Sequence, residues 1–81
     1  MVKYFVEVII GRVYKHYKGD YYLVENFATH TESGERLVIY RALYGNGEVY
    51  ARPYSMFVER INQNGQEYRF ALQDIQTVVS R

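Results

Sequence analysis

Residues 37–57, LVIYRALYGNGEVYARPYSMF, predict a long β-hairpin around which the rest of the chain can be interpreted. Runs of β-branched and aromatic residues flank the Gly-Asn-Gly at residues 45–47, and Asn-Gly between two such runs is a strong hairpin signal. Pro53 suits the first position of a helix, so one helical turn is predicted near residues 53–57. The hydrophobic residues of this turn that we predict to lie in the core are Met56 and Phe57.

Two registers of this hairpin are open, and they give different surfaces. A two-residue loop at residues 46–47 sets Arg41 opposite Arg52, and like charges directly across a ladder destabilise it. A three-residue loop, with Gly47 in the left-handed position of a bulge, pairs Tyr40 with Arg52 instead. We favour the second register because it separates apolar from polar residues, with Arg41 as the only misfit. The predicted core face then holds Leu37, Ile39, Leu43, Val49 and Ala51, and the opposite face holds Val38, Tyr40, Ala42, Tyr44, Tyr50 and Arg52.

The flanking segments predict further short strands. Period-two alternation indicates strands at residues 2–10, 13–17 and 21–29, and the mixed faces of the third indicate a bulge near Asn26. Short strands with regular turns predict a single small all-β domain over residues 1–81, a barrel or sandwich. The remaining predictions are a loop at 30–35, a core strand at 57–61, an Asn-Gly turn at 62–65 with a return through residue 70, and a short helix at 73–79.

Composition narrows the class of protein. The 81 residues contain no cysteine, which excludes disulfides, thiolate chemistry and cysteine-ligated zinc. The net charge of +1, with basic residues scattered among acidic ones, predicts no useful affinity for duplex DNA. No apolar run approaches the ~20 residues of a membrane helix, and the N-terminus lacks signal-peptide features. We therefore predict a cytoplasmic protein without a membrane partner. Ten tyrosines suit a pleated sheet with half-exposed rings.

Four motifs, taken in order, resemble the small bacterial "domain of unknown function 1653" family. They are GRVYKHYKGDYY from Gly11, ATHTESGERLVIYRALYG from Ala28, YARPYSMF from Tyr50 and NGQEYRF from Asn64, and together they span about residues 11–70. The resemblance implies an SH3-like β-barrel with a short helical turn. The family has no established activity, so the resemblance implies no catalytic residues. The chain departs from the family pattern at Tyr50, where the family has tryptophan.

The face opposite the predicted core suggests a binding surface. Half-exposed tyrosines beside an arginine offer stacking area, hydroxyl groups and a fork for a carboxylate or phosphate. The segment RVYKHYK at residues 12–18 also interleaves basic and aromatic residues, as single-stranded nucleic acid binders do. The plainer interpretation is that another strand covers these side chains. The candidate binding residues are Tyr40, Tyr44, Tyr50, Arg52, His16, Lys18 and His30, and the candidate ligands are a peptide, a nucleotide or single-stranded RNA.

The alternative function is a small enzyme or an enzyme-accessory domain that uses His16, His30 and Glu32. Two observations weigh against it. No third nitrogen or sulfur ligand is apparent that would complete a transition-metal site. No nucleophile elbow or phosphate loop surrounds any serine or glycine-rich turn. We therefore predict a non-catalytic protein with no catalytic residues, no metal site and no cofactor.

Overall fold

The computed structural model describes residues 7–74, which form seven strands and one helical turn. In chain order these are β1 (Val13–His16), β2 (Tyr21–Thr29), β3 (Arg36–Ala42), β4 (Val49–Pro53), α1 (Tyr54–Phe57), β5 (Arg60–Gln63), β6 (Gln66–Tyr68) and β7 (Phe70–Leu72). Five strands form an antiparallel sheet in the order β4-β3-β2-β1-β7, and β5 pairs with β6 separately. The predictions of a mostly β structure, a third strand at residues 21–29 and one helical turn are confirmed.

The five-stranded sheet is open in the described part of the chain, whereas the strand pattern predicts a barrel or sandwich and the family resemblance implies an SH3-like barrel. Its edges are β4 and β7, and no pairing among residues 7–74 joins them. The chain between these edges forms α1 and the β5–β6 hairpin. The hairpin pairs within itself through the predicted Asn-Gly turn, where Asn64 and Gly65 have φ angles of 54° and 74°. Because this hairpin does not bridge the two edges, the sheet stays open.

The predicted bulge in β2 is present. The register between β2 and β3 shifts between Val24 and Asn26. Asn26 Oδ1 accepts a hydrogen bond of 2.8 Å from the Phe27 N–H, which satisfies a donor near the bulge. A bulge puts the following side chains out of step with simple alternation. Phe27, opposite Val38, therefore shares a face with Val24, opposite Tyr40.

The β3–β4 hairpin adopts neither predicted register. Tyr40 pairs with Tyr50 and Val38 pairs with Arg52, so the predicted pairing of Tyr40 with Arg52 is wrong. The connecting loop is longer than either prediction and runs from residue 43 to residue 47. The Asn-Gly signal therefore identified a hairpin correctly but did not set its register.

Two contacts formed at either end of the loop widen it. The Leu43 N–H donates to the Tyr21 carbonyl oxygen at 3.0 Å, so the chain after β3 continues along β2 instead of turning toward β4. Arg41 Nη1 donates to the Gly47 carbonyl oxygen at 2.9 Å and holds the other side of the loop. Within the loop Gly45 has a φ of 58°, a conformation that glycine adopts without a steric penalty. A tight turn at residues 44–47, closed by the Gly47 N–H donating to the Tyr44 carbonyl oxygen at 3.1 Å, therefore lies inside a wider loop than the sequence predicts.

The two faces of the hairpin are the reverse of the predicted ones. Val38 and Tyr40 are 0% and 4% exposed, whereas Leu43 and Val49 are 48% and 46% exposed. Both faces carry apolar residues, so the element that covers one of them decides which becomes the core. The α1 turn covers the face of Val38 and Tyr40. The core cluster consists of Val8, Tyr14, Val24, Val38, Tyr40, Phe57 and Phe70.

Phe57 is the residue that joins α1 to this core. Its side chain is 1% exposed, and its ring stacks on Phe70 with centroids 4.0 Å apart and planes inclined by 4°. Met56 is 43% exposed, so the prediction that it lies in the core is wrong. Consecutive residues of a helical turn project in different directions, and only one of the two can face the sheet. The strand predicted at 57–61 begins later, at Arg60.

Two predictions concern the ends of the chain. The strand predicted at 2–10 forms no strand over residues 7–10, and its residues 1–6 lie outside the described range. The helix predicted at 73–79 is not helical at Gln73 and Asp74, and its other residues lie outside the described range. No helix within residues 7–74 has the length and apolar character needed to span a membrane.

Candidate functional site: a tyrosine–arginine surface

Strand pairing gathers tyrosines and an arginine at one end of the core face. Residues directly opposite each other in a sheet point to the same side. Tyr50 therefore lies on the face of Tyr40, and Arg52 on the face of Val38. On the neighbouring strands, Tyr22 pairs with Ala42, and His16 pairs with Phe70. We call Tyr22, Tyr44, Tyr50, Arg52 and His16 the Tyr–Arg surface.

Tyr22 lies at the centre of this surface. Its hydroxyl is 2.8 Å from the Tyr44 hydroxyl, and its ring meets the Tyr44 and Tyr50 rings edge to face, at centroid distances of 5.6 and 6.4 Å. Tyr44 and Tyr50 are 44% and 40% exposed, whereas Tyr22 is only partly exposed. Edge-to-face pairs contribute about 0.5–1.5 kcal/mol each beyond burial. The exposed rings are therefore held in place by a partly buried one.

Arg52 is fixed at the rim of the aromatic cluster. Its Nε donates to the Tyr40 hydroxyl at 3.1 Å, and its guanidinium carbon lies 5.6 Å from the centroid of the Phe70 ring. Among the other arginines of residues 7–74, Arg41, Arg60 and Arg69 form carboxylate pairs, such as Arg60 with Glu67 at 2.6 Å, whereas Arg12 and Arg36 do not. No carboxylate of the described residues pairs with Arg52. Its terminal nitrogens are thus available for an external anionic group.

His16 borders the surface as a neutral side chain. Its Nδ1 accepts a hydrogen bond of 3.2 Å from the Lys18 N–H, and its ring packs on Phe70 at 4.8 Å. Burial lowers the pKa of His16, and the positive charges of Arg52, Arg69 and Lys18 lower it further. A neutral imidazole that accepts at Nδ1 carries its proton on Nε2. This atom is a hydrogen-bond donor at neutral pH.

Acidification is expected to destabilise the protein through His16. The unfolded chain takes up a proton near the ordinary pKa of about 6.5, whereas the folded chain takes it up only at lower pH. Below about pH 6.5 the unfolded state holds more protons, so this contribution to stability falls as pH falls toward the lower pKa. We expect the free energy of unfolding, measured in urea near neutral pH and near pH 5, to fall less on acidification for His16→Gln than for the wild type. Equal losses would contradict this role of His16.

The tyrosine hydroxyls of the surface are also perturbed. Burial raises the pKa of Tyr22, and the hydrogen bond with Tyr44 raises it further. Partial burial and the neighbouring Tyr44 raise the pKa of Tyr50. These phenols therefore stay protonated at physiological pH. They present neutral hydroxyls that both donate and accept hydrogen bonds.

The structure separates the other predicted residues by role. Tyr40 is 4% exposed and belongs to the core, where it positions Arg52. Lys18 lies in the turn after β1, beside the surface, with Nζ 5.8 Å from the centroid of the Tyr17 ring. His30 Nδ1 accepts hydrogen bonds from the N–H groups of Glu32 and Ser33, at 3.1 and 3.4 Å, and so stabilises the loop after β2. Of these three, only Lys18 adjoins the exposed part of the surface.

His16 and His30 lie near opposite ends of β2 and do not form a joint site. The strand runs from Tyr21 to Thr29, a length of about 26 Å at the usual rise of an extended chain. Within residues 7–74 no group of three or more His, Asp or Glu side chains could hold a metal ion. The alternative of an enzyme that uses His16, His30 and Glu32 together therefore gains no support from their placement.

A groove of about 630 Å³ lies near the other end of the core face. The Phe27 ring in its wall is already covered by Arg36, whose guanidinium carbon lies 4.8 Å from the ring centroid. Several side chains of the Tyr–Arg surface have perturbed pKa values, and its arginine has no carboxylate partner among the described residues. Both features are typical of binding sites. We therefore take that surface, rather than the groove, as the candidate site. The groove is lined by Glu7, Val8, Phe27, Glu35, Arg36, Tyr54 and Ser55.

The sequence prediction missed two residues of this region. Tyr22 organises the exposed tyrosines, and Phe70 lies under both Arg52 and His16. The alternation of Tyr22 with Val24 in β2 was a signal that it faces the core side. Its nearness to Tyr44 depends on the β2–β3 register, which no local pattern sets. Phe70 meets His16 only because β7 pairs with β1.

Comparison with known proteins agrees with the resemblance seen in the motifs. The profile of the family described as "Protein of unknown function (DUF1653)" matches residues 12–72. A crystal structure of a DUF1653 protein from Bordetella bronchiseptica is similar to this chain, with a TM-score of 0.70 and 29% sequence identity. The match covers 90% of this chain and 95% of that chain. No match was found among curated proteins. The chain therefore belongs to the DUF1653 family of proteins of unknown function.

Proposed function

We propose that the protein is a non-catalytic binding module whose Tyr–Arg surface binds an anionic group of its ligand. The observation that carries this proposal is the geometry of Arg52. Its Nε is held by the Tyr40 hydroxyl at 3.1 Å, while no carboxylate of the described residues neutralises its charge. A guanidinium fork of this kind matches a carboxylate or a phosphate through two parallel hydrogen bonds.

The exposed tyrosines supply the second part of the recognition. Tyr44 and Tyr50 offer ring area and neutral hydroxyls beside Arg52, and tyrosine and arginine are enriched at protein interfaces. Because Tyr22 already holds both rings, a ligand orders few side chains when it binds. Binding to a preorganised surface loses less conformational entropy.

We also propose that the chain is a variant of the SH3-like fold that its sequence motifs imply. Support comes from a bulged antiparallel sheet that packs around Phe57 and from the single helical turn that follows β4. In such a fold the Tyr–Arg surface would lie beside the loop after β3.

The proposal is tested by titrating fluorescent acidic decapeptides and single-stranded RNA decamers with the wild type and two pairs of variants. Arg52→Gln and Tyr50→Ala are expected to weaken binding at least about tenfold, a change of about 1.4 kcal/mol. Arg60→Gln removes the same charge from a distant strand. Tyr21→Ala removes a ring of similar exposure, 39% against 40%, from the other face of the sheet. Both controls should bind as the wild type does.

Thermal unfolding of each variant separates loss of binding from loss of fold. Retained binding by folded Arg52→Gln and Tyr50→Ala would contradict the proposal. So would a wild type that, at concentrations where it is monomeric, binds none of the anionic probes. Selective binding of RNA would identify the ligand as a nucleic acid, and selective binding of peptides would identify it as a protein segment.

A further inference from the structure

We propose that the partner at the Tyr–Arg surface is a second copy of this chain, joined to the first through the free edge of β4. The two strands pair antiparallel about Tyr50, and Glu48 of each copy supplies the anionic group for Arg52 of the other. This inference rests on the proposed function, since it names the ligand of Arg52.

β4 has one unpaired edge within the described residues. It is the outermost strand on its side of the five-stranded sheet, and within residues 7–74 its strand partner is β3. Among its residues, Val49, Tyr50 and Ala51 are all exposed. Exposed edges of this kind accept another strand unless charges, prolines or covering segments prevent it.

The hydrogen-bond pattern shows which backbone groups point outward. The Ala42 N–H donates to the Glu48 carbonyl oxygen at 2.8 Å, so this pair lies at a hydrogen-bonded position of the ladder. Such positions alternate in antiparallel strands, so Tyr50 also directs its backbone groups toward β3. The N–H and C=O groups of Val49 and Ala51 therefore point away from the sheet. They form the donors and acceptors that an added strand needs.

Pro53 fits the same pattern. It lies opposite Leu37, at a position where its nitrogen faces outward and no bond to β3 is lost. Because Pro53 has no N–H to donate, the part of the edge that can pair with an added strand ends there on one side. The positive φ of Gly47, 69°, ends the extended segment on the other. An added strand is therefore limited to residues 48–52.

Within these limits one antiparallel pairing uses the outward groups of both copies. Val49 pairs with Ala51 of the second copy through hydrogen bonds, and Ala51 pairs with its Val49. Tyr50 then lies opposite Tyr50 of the second copy, at a position where cross-strand side chains are closest. Glu48 lies opposite Arg52 of the second copy, and the symmetry repeats this contact. The edge is thus complementary to itself in both backbone and charge.

Charge complementarity favours this partner. By strand alternation Glu48 lies on the same side as Tyr50. Aromatic pairs and opposite charges directly across a ladder stabilise it. Nucleic acid lacks the alternating N–H and C=O groups that would pair with Val49 and Ala51. The pairing joins the two five-stranded sheets into one continuous sheet.

A charge exchange between two variants tests this arrangement. In a dimer of the Arg52→Glu variant, Glu48 of one copy lies opposite an acidic side chain of the other. In a dimer of the Glu48→Arg variant, Arg52 of one copy lies opposite a basic side chain of the other. Each variant alone should sediment as a monomer at concentrations where the wild type associates. An equimolar mixture should associate again, because each contact then joins an acid to a base. A mixture of Glu32→Arg and Arg60→Glu serves as the control, since each of these should behave as the wild type does.

Hydrogen exchange on the wild type gives a second measurement that needs no substitution. The amides of Val49 and Ala51 should gain protection as protein concentration rises, while Tyr50 and Arg52, already bonded to β3, should change little. A wild type that stays monomeric at its highest soluble concentration, with no association of the mixture, would overturn the dimer. The proposed function would then be judged by the probe titrations with Arg52→Gln and Tyr50→Ala, which do not depend on self-association.

Discussion

Phe57→Ala is expected to lower the free energy of unfolding by about 3–5 kcal/mol, the usual loss for a buried phenylalanine. The Phe57 ring is 1% exposed and stacks on Phe70 at a centroid distance of 4.0 Å. It also meets Tyr14 and Tyr40 at 5.5 and 5.4 Å. Truncation would therefore leave a cavity between α1 and the sheet. In a domain of this size, such a loss is a large fraction of total stability.

The measurement is equilibrium unfolding in urea, with Met56→Ala as the control. Met56 occupies the same helical turn but is 43% exposed, so its truncation should change stability by less than about 0.5 kcal/mol. A comparable loss in both variants would mean that the turn itself, rather than the ring of Phe57, holds α1 in place.

Val38→Thr is expected to cost about 1–3 kcal/mol, because it buries a hydroxyl in a site that is 0% exposed. The same change at Val49, which is 46% exposed on the other face, should alter stability by less than about 0.5 kcal/mol. Threonine and valine have similar shapes and both suit strands, so strand propensity cancels in the comparison.

Thermal unfolding of the two threonine variants decides which face of the hairpin is the core. The sequence pattern predicts the opposite result, with Val49 in the core and Val38 outside it. If Val49→Thr proved the more damaging substitution, the sheet would pack through its other face.

The local elements could be predicted from the sequence because their signals are local. Alternation and turn residues located β2, the bulge near Asn26 and the turn at residues 64–65. The hairpin register could not be predicted, since it depends on the bond from Leu43 to the Tyr21 carbonyl oxygen. The buried face could not be predicted either. Both faces of β3 carry large apolar residues, and the position of Phe57 selects between them.

The candidate site was predicted in part. The structure does bring together Tyr44, Tyr50, Arg52 and His16. The prediction was wrong about the core, which lies on the same face of the sheet as these residues and not on the opposite face. These residues occupy the end of that face that Phe57 does not cover. His30 could not be assigned from sequence, because the same histidine pattern fits a ligand or a loop cap. Its bonds from the Glu32 and Ser33 N–H groups identify it as a loop cap.

The position of Phe70 has a consequence for how the proposed binding surface of this chain can change. One ring forms the stack with Phe57 and also lies beneath Arg52 and His16, so folding and the proposed recognition share a single residue. Selection for a new ligand cannot act on that residue without a loss of stability. Divergence in specificity is therefore confined to the rim, where the exposed rings of Tyr44 and Tyr50 can be exchanged at little cost to the core.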